Sequence, residues 1–332
     1  MFIPAWVWIA TLAGLLLLLA IDLVIVDRKP HEVTVGEAAR WVAFYIACAL
    51  LFGAGMWLFA GGTAAGEFFA GYITEYSLSV DNLFIFLVIM SAFAVAPIHQ
   101  HKVLLVGILL ALILRGVFIG VGAAVISRFS WVFYLFGAFL VWTAYKLSRS
   151  GLGGEDEEYK ENRLTRLVRK VLPVTEKYDG ARVITRSRGR WMATPMLIVM
   201  VAIGTADVMF AVDSIPAIFG LTKEPFLVFT ANAFALMGLR QLYFLLGGLL
   251  RKLEYLSLGL AVILGFIGVK MVLEALHDNT LPFLNNGEGL PVPTVSIALS
   301  LVIIIGVLAV TAAASMLKAK RDQANAEREI RV

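Results

Sequence analysis

The chain has 332 residues, of which 60% are hydrophobic and only 16% are charged, and its formal net charge is +4. Soluble proteins are about 45–50% apolar and about 25% charged. The composition therefore excludes a single soluble domain and favours a protein with many membrane spans. Lys and Arg concentrate in short stretches between apolar runs, which is typical of membrane topology and not of nucleic-acid binding. Because Cys48 is the one cysteine, an internal disulfide is also excluded.

Hydropathy along the chain predicts an all-α integral membrane protein with about nine transmembrane helices. The first apolar run is too long, and too poor in basic residues at its start, for a signal peptide, so it is interpreted as a true span. The predicted spans are residues 5–26, 41–60, 66–95, 103–126, 131–147, 193–220, 225–249, 254–275 and 294–317.

The spans divide the chain into five segments. The one long hydrophilic stretch, between the fifth and sixth spans, is interpreted as a cytoplasmic charged loop with a short amphipathic helix around 159–172. The segments are two N-terminal transmembrane helices in 1–62, a first three-helix repeat in 63–147, the charged loop in 148–191, a second three-helix repeat in 192–276, and an outer loop, last helix and cytoplasmic tail in 277–332.

The positions of the basic residues predict the orientation in the membrane. With the amino terminus outside, the cytoplasmic stretches hold most of the Lys and Arg residues, and only Arg128 and Lys223 fall on the outer side. This partition follows the positive-inside rule. We expect a multi-pass protein in the lipid bilayer of a bacterial plasma (inner) membrane, with its carboxyl terminus in the cytoplasm.

Two similar stretches indicate that the third to fifth spans are repeated in the sixth to eighth. The stretch "EYSLSVDNLFIFL" (75–87) aligns without gaps on "DVMFAVDSIPAIF" (207–219). The span after each stretch carries an arginine, Arg115 or Arg240. Because each copy has an odd number of spans, the copies enter the membrane from opposite sides, as in the inverted repeats of secondary transporters. The aligned polar pairs are Glu75 with Asp207, Asp81 with Asp213, and Asn82 with Ser214.

The four aligned acids form the candidate site. A charged side chain at the centre of a membrane costs about 2.5–3.5 kcal/mol on insertion scales, and such groups are functional by default. Four carboxylates and two arginines leave a net charge of −2 if all are ionised. That charge suits one divalent cation, or two H⁺ or Na⁺ ions on a return step. The alternative is that the arginines pair with two acids and the other two acids are protonated.

The neighbouring residue types favour a hard cation. The oxygens of Asn82 and Ser214, together with carboxylates, suit Mn²⁺, Mg²⁺ or Ca²⁺ better than softer metals. Six residues turn a regular helix by about 600°, so Glu75 and Asp81 share a face only if the helix is locally unwound. Otherwise one acid faces another partner. The remaining candidates are Arg115 and Arg240 for charge balance or gating, and Asn232 and Thr205 as secondary site residues.

These motifs resemble those of the TerC/Alx family of integral membrane proteins, which is named for tellurium resistance. The resemblance rests on "EYSLSVDNLFIF" (75–86), "DVMFAVDSIPAIF" (207–219) and "NAFALMGLRQLYF" (232–244), and it extends over about residues 66–275. It implies a membrane metal transporter, because members of the family are linked to manganese export and metal homeostasis. An oxyanion would be repelled by the acids, so tellurite resistance is expected to be indirect. The acids that the resemblance carries over are Glu75, Asp81, Asp207 and Asp213.

The expected function is secondary export of a divalent cation by alternating access, with Mn²⁺ favoured. We expect no enzymatic activity and no resident cofactor, since the metal is the substrate and the counter-ion is H⁺ or Na⁺. The sequence contains no Walker A motif, so direct ATP drive is not supported. Two alternatives stay open: a membrane scaffold or assembly factor, and, with less support, an intramembrane aspartyl protease. The oligomeric state stays open as well.

Overall fold

Ten helices and one pair of antiparallel strands form the described part of the chain in a computed structural model. The backbones of Asp81 and Asp213 lie within it, but their side chains lie outside the described part. The description covers residues 3–26, 34–129, 131–151, 165, 173–175, 177–180, 182–187, 190–246, 255–277, 285 and 288–329.

The chain is an all-α membrane protein, as predicted. In the described residues, one small sheet lies in the sequence between residues 151 and 195. The elements are α1 Ala5–Val26, α2 Val35–Ala60, α3 Gly62–Ala92, α4 Pro97–Arg128, α5 Val132–Gly151, β1 Ile184–Ser187, β2 Arg190–Ala193, α6 Pro195–Phe219, α7 Pro225–Met237, α8 Leu239–Leu246, α9 Leu256–His277 and α10 Ile297–Glu329. Six helices in the described residues are long and apolar enough by themselves to cross a membrane: α2, α3, α4, α6, α9 and α10.

The seventh predicted span, 225–249, is divided in the structure. Its first part is α7, which ends at Met237, and α8 begins again at Leu239. The residue between them, Gly238, directs its N–H to the carbonyl of Leu236. Glycine is among the poorest helix formers, which accounts for the position of the break. Nine predicted spans therefore become ten helices in the described residues.

Local capping explains where several helices begin. The Thr34 hydroxyl accepts the N–H of Glu37 at 3.3 Å, so α2 begins six residues before its predicted start at 41. The Thr194 hydroxyl accepts the N–H of Met196 at 3.2 Å at the start of α6. Three helices begin at a proline, whose missing N–H is not needed at the first helical position: Pro97, Pro195 and Pro225.

The helix α3 is the centre of the bundle. It packs against α2, α6, α7 and α10, while α4 packs against α6 and α7, and α5 lies along α9. Glycines allow the last contact, because a Cβ on Gly137 would lie 2.8 Å from the carbonyl oxygen of Gly268. At the periphery, α2 exposes Trp57, Leu58 and Phe59, the last to 92%. Such an apolar exterior suits lipid.

Part of the segment predicted as a charged loop folds as a β-hairpin. Strands β1 and β2 pair in antiparallel register, with Ile184 opposite Ala193. The stretch before the hairpin is fixed to the helices, because the Tyr178 hydroxyl donates to the carbonyl of Phe93 at 2.7 Å. The hairpin therefore lies at the end of the bundle where α3 ends and α6 begins. The amphipathic helix predicted around 159–172 lies outside the described residues.

Candidate functional site

A single arginine near the middle of α4 joins acids from two other helices. The Arg115 guanidinium donates from Nη1 to Oε1 of Glu75 on α3. It also donates from Nη2 to Oδ1 of Asp207 on α6 at 3.0 Å, and from Nε to Oδ2 of the same residue at 3.3 Å. Glu75 and Asp207 are the two acids that the sequence alignment matches. The two aligned stretches thus each contribute one acid to the same arginine.

Hydroxyl and amide groups surround this cation. Nη1 of Arg115 lies 3.3 Å from Oγ of Ser214 and 3.4 Å from Oδ1 of Asn232, which comes from α7. The Ser79 hydroxyl donates to Oε1 of Glu75 at 3.3 Å, one turn along α3. We call these six residues the Arg115 cluster: Glu75, Ser79, Arg115, Asp207, Ser214 and Asn232. It joins α3, α4, α6 and α7.

The Arg115 cluster is closed to solvent. Arg115 and Glu75 have no exposed surface, and Asp207 is 2% exposed. Burying charges costs several kcal/mol per ion even after relaxation, and their attraction offsets this only with good geometry and further hydrogen bonds. The two-pronged contact of Arg115 with Asp207 is a geometry of this kind. One guanidinium against two carboxylates leaves the trio at −1 if all are ionised.

Some polar atoms at this site are not used by the protein. Among the side chains that the structure describes, Oε2 of Glu75, Nδ2 of Asn232 and Oγ1 of Thr74 are buried and have no hydrogen-bond partner. Buried polar groups are nearly always hydrogen-bonded, so each exception requires an explanation. The carboxylate oxygen of Glu75 can accept a cation or a water molecule. The amide of Asn232 can donate to a further oxygen.

The remaining predicted site residues are distributed around this cluster. The side chains of Asp81 and Asp213 lie outside the described part. Asn82 is buried on α3, and Arg240 is buried in the first turn of α8. The Thr205 hydroxyl donates to the carbonyl of Val201 in its own helix. In the described side chains, no three His, Cys, Asp or Glu residues are grouped closely enough to hold a metal ion.

Of the two arrangements left open for the acids, the structure has the regular helix. Both α3 and α6 run without interruption through the motifs, over 62–92 and 195–219. Six residues turn such a helix by about 600°, so the backbone positions 75 and 81 lie on different sides of α3. The same holds for Asp207 and Asp213 on α6. The interruption in the helices occurs instead at Gly238, between α7 and α8.

Sequence reasoning missed two polar residues at the site. Ser79 follows Glu75 by four residues, a spacing that places side chains on the same helix face, and this signal was available in the stretch "EYSLSVD". Thr74 directly precedes Glu75, and its hydroxyl is buried. Its role could not be inferred from spacing, because it depends on which neighbouring helices enclose it.

Comparison with known families decides the family of the chain. The family described as "Integral membrane protein TerC family" matches residues 60–323, which include every member of the Arg115 cluster. The chain belongs to the TerC family. The resemblance seen in the motifs is thereby confirmed.

The TerC relatives of this chain are bacterial membrane proteins. An uncharacterized membrane protein of Mycobacterium tuberculosis is 49% identical over 322 residues, covering 96% of this chain and 81% of the relative. The Alx protein of Escherichia coli (strain K12), whose name proposes a membrane-bound redox modulator, is 38% identical over 305 residues, or 89% of each chain. No solved structure matches the chain.

Proposed function

We propose that this TerC protein is a secondary transporter that exports a divalent metal cation, with Mn²⁺ as the favoured ion and Mg²⁺ or Ca²⁺ as alternatives. The observation that carries the proposal is the contact of Glu75 and Asp207, from two different helices, with one guanidinium in the middle of the bundle. Acids buried in membrane-spanning segments are rare and mark ion pathways or proton relays. A buried ion pair alone would be a weak source of stability.

In this proposal Arg115 is an internal cation that competes with the transported ion. The carboxylates of Glu75 and Asp207 are held by Arg115 when no ion is bound. A divalent cation needs the same oxygens, so its binding would weaken the contacts of Arg115, and its release would restore them. The further oxygens that the ion would use are those of Asn82, Ser214 and Asn232, and of the predicted ligands Asp81 and Asp213. Such oxygens suit a hard cation.

An inverted repeat of α3–α5 and α6–α9 belongs to the proposal. Packing supports it, because the contacts occur in exchanged pairs: α3 packs against α7, and α4 packs against α6. The third helices of the two copies, α5 and α9, pack against each other. A two-fold relation between the copies would produce both features. Transporters of this type bind their substrate near the midplane, where the two copies meet.

Orientation and energy source are further parts of the proposal. The basic residues support an outer amino terminus and a cytoplasmic carboxyl terminus, and bacterial relatives support a plasma membrane. The exported cation would be exchanged for H⁺ or Na⁺. We assign the chain no catalytic activity and no resident cofactor.

The name of the Alx relative suggests a redox role as an alternative. This chain has a single cysteine, Cys48, which lies partly buried in α2. One cysteine cannot form an internal dithiol pair, so the residues of this chain favour export over thiol redox chemistry. None of the described contacts favours the scaffold or aspartyl-protease alternatives.

The test is Mn²⁺ uptake into inside-out vesicles or proteoliposomes. We expect saturable uptake by the wild type and its loss in Asp81→Asn and in Asp213→Asn, with both variants folded by thermal unfolding. Mg²⁺ and Ca²⁺ serve as competing ions that rank the metal preference. If none of the three ions moves, or if both variants transport as fast as the wild type, the proposal is wrong.

A further inference from the structure

A polar cavity of about 540 Å³ lies at the end of the bundle opposite the β-hairpin. Its wall is formed by the beginning of α3, the end of α6, the connection 220–224, the end of α9 and the beginning of α10. Two of these helices, α3 and α6, also carry members of the Arg115 cluster, and the connection 220–224 leads into α7, which carries Asn232. Six residues with ionisable side chains line the cavity: Glu67, Lys223, Glu224, Lys270, Glu274 and His277.

A buried lysine forms part of the wall of this cavity. Lys270 is 6% exposed and lies seven residues before the end of α9 at His277, or about 10 Å along the helix. The carboxylates of Glu274 and Glu67 act on it electrostatically. Charged side chains inside a membrane protein face partner charges or water-filled cavities. Lys270 has partner charges in Glu274 and Glu67 and also lines the cavity, so both kinds of surroundings meet at this end of the bundle.

One face of α3 leads from the cavity to the Arg115 cluster. Glu67, Gly71 and Thr74 follow one another at the four- and three-residue spacing that aligns side chains on a helix. Glu67 lines the cavity, and Thr74 directly precedes Glu75, which is eight residues and about 12 Å along α3 from Glu67. The hydroxyl of Thr74 is one of the buried atoms without a partner in the described residues.

This face is closed at Gly71. A Cβ on Gly71 would lie 3.2 Å from the Cβ of Ala231 on α7 and 3.2 Å from Cγ2 of Ile218 on α6. Ile218 belongs to the last turn of α6, which follows Pro216. Proline has no N–H to bond the carbonyl one turn earlier, so it weakens the helix at that point. The last turn of α6 is therefore less firmly bonded to the rest of the helix than a regular turn would be.

The connection that follows this turn is tied to three other helices. Lys223 forms an ion pair with Glu274 on α9, with Nζ and Oε1 3.0 Å apart. Its Nζ also lies 5.0 Å from the ring centre of Phe133 on α5. The Thr222 hydroxyl donates to the carboxylate of Glu67 on α3. These contacts hold the end of α6 over Gly71.

We propose that the cavity is the outer vestibule of the ion path, and that the Lys223–Glu274 ion pair and the Thr222–Glu67 hydrogen bond form the latch that closes it above Gly71. The inference rests on the transport function proposed above. Breaking the latch frees the end of α6, moves Ile218 away from α3 and opens the face from Glu67 to Thr74. The vestibule would take a hydrated cation.

The test measures access to Thr74 by thiol labelling. In a Cys48→Ala background, Thr74→Cys reports access along the path. Ala235→Cys, at a fully buried position of α7 inside an apolar cluster, reports general loosening of the bundle. A small cationic methanethiosulfonate that does not cross the membrane is added to the outer side. Labelling at Thr74→Cys is expected to be slow while Lys223 and Glu274 are intact.

Three latch variants supply the prediction. Lys223→Glu faces Glu274 with a like charge and should raise the labelling rate at Thr74→Cys by about tenfold. Glu274→Gln, which removes the attraction alone, should raise it by about threefold. The exchange Lys223→Glu with Glu274→Lys should restore the slow rate. Labelling at Ala235→Cys should stay unchanged throughout.

The latch is refuted if neither single variant changes the labelling rate at Thr74→Cys, or if labelling occurs only with reagent on the inner side of the membrane. It is also refuted if the labelling rate at Ala235→Cys rises equally. The rates require no transported ion. If the labelling is as expected but Mn²⁺, Mg²⁺ and Ca²⁺ are not transported, the transport function is therefore refuted and the path from the cavity to Thr74 is supported. Flux without the labelling pattern would refute the latch alone.

Discussion

Arg115 and Lys223 are two cations that each bind acids from other helices, and they do so in opposite surroundings. Both reach a carboxylate oxygen at 3.0 Å, Arg115 on Asp207 and Lys223 on Glu274. The Arg115 side chain has no exposed surface, whereas 46% of the Lys223 side chain and 36% of the Glu274 side chain are exposed. Equal distances therefore do not mean equal energies, because attraction between charges depends on the surrounding dielectric.

The difference in exposure indicates which of the two contacts is fixed and which can open. Removing one partner from a buried pair leaves an uncompensated charge and costs about 3–5 kcal/mol. An exposed pair contributes about 0–1 kcal/mol, since water solvates both groups when they separate. The Arg115 cluster therefore holds four helices together. The Lys223 pair can break and reform at small cost.

The largest effect is expected from Arg115→Met. This change leaves Glu75 and Asp207 buried without their cation, and should lower the free energy of unfolding by about 3–5 kcal/mol. Denaturant unfolding in detergent micelles measures the loss. Lys223→Met is the matched control, with a loss within about 1 kcal/mol. Equal losses in the two variants would contradict the comparison.

A second prediction separates the two acids of the Arg115 cluster. Asp207 accepts from both Nε and Nη2 of Arg115, whereas Glu75, among the described side chains, accepts through Oε1 alone. Asparagine offers one oxygen to the two donors, while a glutamine at 75 can still direct its oxygen to Nη1. Asp207→Asn should therefore destabilise more than Glu75→Gln, by about 1 kcal/mol, the net value of one hydrogen bond. The same unfolding measurement decides, and the reverse order would disprove it.

The exposed pair yields a smaller effect that depends on salt. Glu274→Gln should lower the free energy of unfolding by less than about 1 kcal/mol at low ionic strength. At about 1 M salt the Debye length is about 3 Å, so variant and wild type should become indistinguishable. A loss that persists at high salt would mean that Glu274 acts through packing and not through its charge.

The smallest effect is expected in the β-hairpin. Asp179 accepts the hydroxyl of Thr185 at 2.6 Å, and this hydrogen bond, assisted by Arg182, holds the pKa of Asp179 below its ordinary value of 3.8. A lowered pKa adds stability above the ordinary value, and that stability is lost as the pH falls through the pKa of the folded state. Thr185→Val should raise the pKa of Asp179.

Carboxylate titration by NMR measures this change, and wild type and variant are compared over the acid range. The local folding of the hairpin should become less sensitive to acid in Thr185→Val, because the two states then bind protons more alike. An unchanged pKa of Asp179 would show that Thr185 is not its main partner.

Much of the fold could be predicted because membrane spans are set by apolar length, a local property of the sequence. Helices occur at all nine predicted spans. The break at Gly238 was missed, since glycine is common in membrane helices and does not by itself end one. The hairpin was missed because its residues "RVITRSRGR" read as a charged loop, and strand pairing depends on contacts made elsewhere.

The site was predictable in its members and not in their pairing. Glu75, Asp207 and Arg115 stand out in the sequence because charges are rare in apolar spans. That one arginine would serve both acids could not be inferred, because Arg115 is separated by 40 residues from one and 92 from the other. Such contacts follow from how helices pack, which the linear pattern does not encode.

The most direct test of the account is equilibrium binding of Mn²⁺ to the purified protein, measured by titration calorimetry for the wild type and for Glu75→Gln. The proposed function requires that the acids around Arg115 bind the transported cation. Saturable binding by the wild type and at least a tenfold weaker affinity in Glu75→Gln, or about 1.4 kcal/mol, are therefore expected. Equal affinity in the two proteins, or no binding by the wild type, would contradict it and leave the acids as partners of Arg115 alone.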